Sequence, residues 1–208
     1  MSKSLKILTG TLILAGAGHA VAASDIDLAV KGLITPSACR PSLSAGTVDV
    51  GKVSVKDLNQ ETRTQLSPTT LQLNIDCEGL TLFAMKVTDN RADSATSIIE
   101  FGIGKTADNQ KIGGYVMYLD EAVADVEPVT IIGRLNQYDS WFKQWPADGW
   151  QTDVIVSIQK NGTPRVPSPA KNTQMALLVQ PFIHPAQNVT ISEDTVIDGS
   201  TTLEVKYL

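Results

Sequence analysis

The segment PTTLQLNIDC (68–77) carries the clearest secondary-structure signal in the chain. Its apolar residues Leu71, Leu73, Ile75 and Cys77 alternate with polar ones. Successive side chains of a β-strand point to opposite faces, so this two-residue period is typical of a strand with one face in the core. The segment therefore predicts a half-buried strand that carries Cys77 on its inner face.

The same pattern recurs along most of the chain. LTLFAMKVTD (80–89) predicts a second strand, with Phe83, Met85 and Val87 facing inward. Seven further segments are predicted to be strands: 46–55, 97–104, 115–120, 127–135, 152–159, 174–183 and 201–208. Gly, Pro, Asn and Asp fill the gaps, as expected for turns. Short strands at this spacing predict an all-β sandwich or barrel, although 174–183 is also compatible with a short helix.

Residues 1–23 have the features of a secretory signal peptide. Lys3 and Lys6 precede an apolar run over 7–17. Small residues follow, and Ala-Val-Ala at 20–22 fits an A-x-A cleavage site. The apolar run is shorter than the roughly 20 residues that a membrane-spanning helix needs. We therefore predict a cleaved leader and an exported protein, with an uncleaved anchor as the alternative.

The chain is acidic, with 17 basic and 22 acidic residues and a net charge of −5. Removal of Lys3 and Lys6 with the leader leaves 15 basic residues against 22 acidic ones, a net charge of −7. No run of basic residues interrupts this balance. Nucleic acid and anionic membranes are therefore not predicted as partners, because both favour positive charge at the contact.

Cys39 and Cys77 are the two cysteines of the sequence. In an exported protein an even number of cysteines favours a disulfide. Two free thiols are the alternative, and the C-x-x-C spacing of a redox pair is absent from the sequence. Closing a loop of this length would stabilise the fold by roughly 3–4 kcal/mol in the chain-entropy model.

The segment YDSWFKQWPADGW (138–150) is rich in aromatic residues and contains every tryptophan of the chain: Trp141, Trp145 and Trp150. If these rings are exposed, they are candidates for stacking on sugars. The alternative is that they cover one end of the sandwich or pack an inserted loop, since large aromatic residues are mostly buried.

The sequence offers no set of residues that forms a catalytic site. His184 is the sole histidine after the leader, and the G-x-S-x-G, H-E-x-x-H and phosphate-loop motifs are absent. The acidic residues Asp120, Glu121, Asp125 and Glu127 match no calcium-loop spacing and are predicted to form a solvated loop. We therefore predict no catalytic residue, metal site or cofactor, and keep a secreted β-sandwich enzyme as a minor alternative.

The order of these landmarks resembles the pilin subunits of chaperone–usher fimbriae. Such subunits carry a signal peptide, an alternating extension with a glycine, two cysteines about forty residues apart, and a last strand whose penultimate residue is tyrosine. Here VKGLI (30–34) leads to Cys39, Cys77 closes the strand 68–77, and the chain ends LEVKYL (203–208). IGGYVMYLD (112–120) also resembles a mid-domain pilin strand.

The resemblance implies an immunoglobulin-like β-sandwich of pilin type over 36–208, lacking its final strand. It also implies that 24–35 is a donor-strand extension that completes the next subunit. The implied donor residues are Leu28, Val30, Gly32 and Ile34. The implied groove-edge strand, which pairs with a chaperone, carries Leu203, Val205, Tyr207 and Leu208. The alternative is that 24–35 pairs within its own domain, as an ordinary first strand.

The function that the resemblance implies is a structural subunit of a surface fimbria that contributes to adhesion. Its partners would be a periplasmic chaperone, an outer-membrane usher, neighbouring subunits and a host glycan, and its route would run through the periplasm to the cell surface. A carbohydrate-binding minor or tip adhesin is the alternative. The chain departs from the family in the position of its last glycine, Gly199, and in its length, with 136–170 as the excess.

Overall fold

The structure is a computed structural model, and it describes residues 38–208 of the chain. These residues belong to one unit, Thr35–Leu208. The predicted leader 1–23 and the predicted extension 24–35 lie outside the described residues. So do the four predicted donor residues: Leu28, Val30, Gly32 and Ile34.

Eleven β-strands and two short 3-10 turns form the described part of the chain. The strands are β1 (Cys39–Leu43), β2 (Thr64–Gln65), β3 (Thr69–Thr81), β4 (Phe83–Asp89), β5 (Phe101–Gly102), β6 (Gly113–Ala124), β7 (Glu127–Leu135), β8 (Phe142–Lys143), β9 (Val154–Lys160), β10 (Ala170–Ile183) and β11 (Thr201–Tyr207). The 3-10 turns span Val55–Asp57 and Ala186–Asn188. The all-β prediction is confirmed. Within 38–208, no helix has the length and apolar character to cross a membrane.

The strands follow one antiparallel path in the order β1-β3-β10-β6-β7-β9-β4-β11. The short strands β2, β5 and β8 pair with β10, β6 and β7. The path passes from one layer to the other through the β6–β7 hairpin, where Val123 lies opposite Pro128. The result is a nearly closed sheet that is consistent with the predicted β-sandwich.

The core lies between the inner faces of the two layers. β3 buries alternate residues, and Leu73 and Ile75 are fully buried. β4 contributes Phe83, Met85 and Val87, as the alternation predicts. These side chains share one hydrophobic cluster with residues of β9 and β10. Each large apolar side chain buried in this way contributes about 1.5–3 kcal/mol.

The predicted disulfide between Cys39 and Cys77 is present, which excludes the free-thiol alternative. The two residues lie directly opposite each other in the β1–β3 ladder. The bond therefore ties the start of β1 to β3.

Two strand predictions are wrong. The segment 46–55 forms no strand, although its valines alternate. Gly51 takes a φ of 67°, and its amide donates to the Asp49 carboxylate at 2.8 Å, so the chain turns where the pattern predicts extension. Of the predicted strand 97–104, Phe101–Gly102 forms a strand. The residues before it form a turn, in which the amide of Glu100 donates to the Ser97 carbonyl.

Two other expectations are also corrected. The segment 174–183 lies in β10 and is a strand, so the helical alternative is wrong. The prediction that 136–170 is an excess insertion does not hold for β9, because Val154–Lys160 pairs with β7 and contributes buried residues to the core. The flanking segments 136–153 and 161–169 contain turns and loops apart from the two residues of β8.

The β6–β7 hairpin closes one side of the sandwich through a tight turn. Asp125 and Val126 have φ values of 50° and 70°, the sign that a two-residue primed turn requires. The Asp125 carboxylate accepts hydrogen bonds from the amides of Lys171 and Asn172 at 3.0 and 2.9 Å. Asp125 therefore links the hairpin turn to β10 through these two hydrogen bonds.

Candidate functional site: the seam between the first and last strands

In the described part of the chain, the first and last strands of the sheet path do not pair with each other. Among the strands of 38–208, β1 pairs with β3 and β11 pairs with β4, and neither has a second partner. Seven antiparallel steps separate β1 from β11 along the path, so the two strands run in opposite directions across the gap. The outer edges of these two strands define what we call the seam. An unpaired edge leaves main-chain donors and acceptors free to bind another strand.

One end of the seam is pinned. The Cys39 amide donates to the Tyr207 hydroxyl at 2.9 Å, which joins the start of β1 to the end of β11. The amide of Leu208 donates to the Leu82 carbonyl and fixes the end of the chain beside β4. Since the Cys39–Cys77 disulfide anchors the same end of β1, this part of the seam is narrow and covalently supported.

The other end opens into a groove with a volume of about 1140 Å³. Its apolar floor consists of inner-face residues of β3, β6 and β10: Leu71, Tyr115, Met117, Leu177 and Val179. Leu203 of β11 lines the groove and is only partly buried against the main core. The groove therefore reaches the hydrophobic core of the sandwich.

The two walls of the groove are loops rather than strands. One wall is 45–55, the segment wrongly predicted as a strand, and it presents Val48 and Val53 beside Asp49. The other wall is 191–200, where Asp198 forms an ion pair with Arg91 at 2.6 Å. The groove thus combines an apolar floor with walls that carry charged residues.

Tyr115 connects the floor of the groove to the edge strand. Its ring stacks on Phe101 with centroids 5.3 Å apart, and its hydroxyl is hydrogen-bonded to the Thr201 hydroxyl of β11. Burial raises the pKa of Tyr115 to about 12, the nearby Asp89 carboxylate adds to this rise, and the Thr201 bond opposes it. A side chain at Gly199 would lie 2.8 Å from the Tyr115 ring, so this wall needs a glycine.

The predicted groove-edge residues occupy both parts of the seam. Leu203 and Val205 pack partly against the core, and Leu203 lines the groove. Tyr207 and Leu208 lie at the pinned end and are about half exposed. Sequence reasoning missed Tyr115 as a groove residue, although it lies in the segment 112–120 that carries part of the resemblance.

The structure separates the three tryptophans by environment. Trp150 is fully buried and its indole donates to the Val154 carbonyl at 3.1 Å, so it has no exposed face for a sugar. Trp141 is partly buried, with the Arg134 guanidinium 5.3 Å from its ring centre. Trp145 is 55% exposed and is the single tryptophan of the described residues that presents most of its surface to solvent.

His184 directly follows β10 and is partly buried. Its Nε2 is buried and lacks a hydrogen bond, and its ring packs against Phe182 at 5.5 Å. Burial lowers the pKa of His184, and the positive charges of Arg63 and Lys111 lower it further against the opposing effect of Glu100. Within 38–208, no group of three His, Cys, Asp or Glu side chains is arranged to hold a metal ion.

Comparison with known proteins gives one family and two relatives. A family described as "Protein of unknown function (DUF1120)" matches residues 28–100, a span that includes β1 to β4. "Uncharacterized protein YhcF" of Escherichia coli (strain K12) is 26% identical, covering 95% of this chain and 98% of that protein. "Protein GltF" of the same strain is 26% identical, covering 89% of each. These similarities are compatible with the resemblance to pilins.

Proposed function

We propose that the protein is a structural subunit of a chaperone–usher surface fimbria, assembles by donor-strand exchange and contributes to adhesion. The observation that carries this proposal is the seam, where an apolar groove lies between two strand edges that have no second partner in 38–208. A strand inserted there would pair with β1 on one side and β11 on the other. Its alternate side chains would cover the floor of the groove.

The free subunit would be unstable in this arrangement. An open edge beside exposed core residues is a template for uncontrolled pairing with other chains. A periplasmic chaperone would supply a temporary strand, and an outer-membrane usher would present the subunit to its neighbour. Leu203, Val205 and Tyr207 would form the edge that the chaperone strand pairs with. The finished fibre would lie at the cell surface, and the subunit would have no catalytic role.

The extension 24–35 has the length and pattern of such a strand. Twelve residues span about 40 Å when extended, compared with about 23 Å for the seven residues of β11. Leu28, Val30 and Ile34 share one face, and the same face carries Gly32. A glycine at this position would allow the backbone to approach the groove closely.

The direction of the inserted strand separates the two roles considered for 24–35. Only a few residues lie between 24–35 and β1, so insertion into its own seam would require a hairpin with β1. Such a strand would be antiparallel to β1 and parallel to β11, because those two run in opposite directions. A strand from another subunit is free to take the opposite direction, antiparallel to β11 and parallel to β1. On the ground of the resemblance to pilins, we propose insertion between subunits, in this second direction.

The test is complementation of a truncated chain. Residues 36–208, oxidised so that Cys39–Cys77 forms, are refolded with a synthetic 24–35 peptide. We expect more monomer and a melting temperature higher by about 10 °C, the shift that saturating binding of a tight ligand produces in a domain of this size. A peptide with Gly32→Trp and a scrambled peptide are the controls, and both should have no effect.

The opposite result is equally clear. If 36–208 is monomeric and stable alone, and the peptide changes neither quantity, the sandwich is complete without an added strand. The fimbrial proposal would then be wrong.

A further inference from the structure

One end of the sandwich is formed by chain segments that lie far apart in sequence. The described chain begins there, at Ala38, and the link between β3 and β4 lies there too, because Thr81 pairs with the start of β10. The β6–β7 turn joins this end, where the Asp125 amide donates to a β10 carbonyl at 2.9 Å. The loop 161–169 and the C-terminus complete it, since they follow β9 and β11. We call it the extension end, because the predicted extension 24–35 leads into it.

Large apolar side chains are exposed at the extension end. They come from the β3–β4 link, the β6–β7 turn, the loop 161–169 and the end of the chain: Leu80, Leu82, Val126, Val166, Tyr207 and Leu208. Leu80 is 68% exposed, and Leu82 and Leu208 lie side by side, because the Leu208 amide donates to the Leu82 carbonyl at 3.1 Å. Single exposed apolar residues are common on protein surfaces, whereas several gathered together indicate an interaction site.

Val126 has the properties expected of a contact residue. Its φ of 70° is uncommon for a β-branched side chain, and glycine or asparagine adopts this conformation more easily in a turn. Because the side chain is 95% exposed, it contributes almost no buried surface to its own domain. Strained positions of this kind cluster at functional sites. Val126 is therefore a candidate for contact with another molecule.

The opposite end of the sandwich carries the mouth of the groove. The segments 45–55 and 191–200 form it, and we call it the groove end. Val196 is 76% exposed and Val55 is 47% exposed, and each belongs to one of these two segments. β11 starts directly after 191–200 and runs toward the extension end. Exposed apolar side chains therefore lie at both ends of one domain.

The chain between the extension and β1 is too short to keep two joined copies apart. In the proposed assembly the extension of one copy lies antiparallel to β11 of the next, so its last residues would leave at that copy's groove end. Ile34 is the last predicted donor residue, and four steps along the chain separate it from Ala38. Four residues span at most about 14 Å. The extension end of one copy would therefore face the groove end of its neighbour at close range.

We propose that the extension end docks on the groove end of a second copy of this chain, as an interface separate from the inserted strand. This proposal rests on the proposed function, because strand insertion is what brings the two ends together. A short connection gives the second contact a high effective concentration, so an apolar patch too small to hold two free copies together can form it. The contact is head-to-tail and repeats from copy to copy. It would fix the orientation of successive subunits.

The test is the labelling rate of single cysteines in assembled and in monomeric full-length chain, exported so that the native disulfide forms. Val126→Cys reports on the extension end and Val196→Cys on the groove end, with a maleimide as the probe. In a head-to-tail dimer one end of each kind is buried and the other stays free. We therefore expect about half of each cysteine to label about tenfold more slowly in dimers than in monomers.

Trp145→Cys is the matched control and should label at one rate in both forms. Trp145 is 55% exposed, and its loop bridges to Tyr118 in the middle of β6, away from both ends. Leu80→Glu should restore fast labelling of Val126→Cys in dimers, because a buried unpaired charge opposes docking. Trp145→Glu should leave the slow labelling unchanged. Val166→Cys replaces Val126→Cys if that variant has a lowered melting temperature.

Several results would overturn the proposal. Val126→Cys that labels equally fast in dimers and monomers would show that the ends do not meet. Slow labelling of every Val126→Cys with fast labelling of every Val196→Cys would mean that two extension ends face each other. Slow labelling that persists with Leu80→Glu would also count against it. Oligomers with exposed ends contradict this proposal alone, whereas a complete absence of oligomers contradicts the proposed function as well.

Discussion

The two sides of the sandwich are joined in different ways. On one side the chain passes from β6 to β7 through a tight hairpin, and Asp125 fixes that turn to β10. On the other side β1 and β11 are joined by the bond between the Cys39 amide and the Tyr207 hydroxyl, and a groove separates them beyond it. Main-chain pairing closes the first side. On the second side, β1 and β11 have no second strand partner among residues 38–208, and the groove between them has an apolar floor.

Removal of the disulfide should have the largest effect on the open side. Cys39→Ser with Cys77→Ser would release the start of β1 from β3 and widen the pinned end of the seam. We expect a loss of about 3–4 kcal/mol in the free energy of unfolding, measured by denaturant titration. The reduced wild-type chain is the control and should unfold at the same denaturant concentration as the double variant. A loss below about 1 kcal/mol would mean that the seam does not depend on this bond.

Tyr115→Phe should have the next largest effect. It removes the hydroxyl that links the groove floor to Thr201 of β11 and keeps the stacked ring. We expect a loss of about 1 kcal/mol, with a smaller loss for Tyr207→Phe, because Tyr207 is half exposed and water can replace its hydroxyl as an acceptor. Thermal unfolding would measure both losses. Equal losses would contradict the view that the Tyr115–Thr201 bond stabilises β11 more than the Tyr207–Cys39 bond does.

On the closed side, we expect a substitution that stabilises the fold. Val126 is 95% exposed and has a φ of 70°, a conformation that is strained for a β-branched residue. Val126→Gly should relieve about 1–2 kcal/mol of strain while adding about 0.4–1 kcal/mol of unfolded-state entropy, for a net gain of about 0.5–1 kcal/mol. Val126→Ala keeps a β-carbon and should gain less. A destabilised glycine variant would show that the turn is not strained.

The smallest expected effect concerns pH. Since burial lowers the pKa of His184, the unfolded chain binds a proton at higher pH than the folded chain does. Stability should therefore be complete above about pH 6.5 and decrease as the pH falls below that value. His184→Gln should remove this component, so its melting temperature should change less than that of the wild type between pH 7.5 and pH 5.5. An identical pH dependence in both chains would rule out His184 as the cause.

The sequence predicts the strands whose apolar face is buried by a neighbouring layer. Alternation in 68–77 and 80–89 corresponds to β3 and β4, because their inner residues meet the core. The same alternation misleads in 46–55, where Asp49 and Gly51 form a turn and the valines line a groove instead of joining a sheet. A local pattern reports which residues are apolar but not which surface covers them.

The candidate site could be predicted only in part for the same reason. The disulfide and the last strand follow from short motifs, whereas the groove depends on Tyr115, Leu177 and other residues far apart in sequence. Trp145 and Trp150 lie in the same aromatic segment and the sequence does not distinguish their environments, yet Trp145 is exposed and Trp150 is fully buried. The donor residues in 24–35 remain a prediction, since they lie outside the described residues.

The most direct test of the central claim is a cross-link between the extension and the seam. One chain carries Val30→Cys and a second, tagged chain carries Leu203→Cys, and both are exported together; Leu28→Cys and Ile34→Cys sample other registers. The account predicts a disulfide-linked dimer of the two chains on non-reducing gels, and little product when Glu204→Cys replaces Leu203→Cys. If a chain with Val30→Cys and Leu203→Cys instead cross-links only within itself and remains a monomer, the extension completes its own domain, and the account is contradicted.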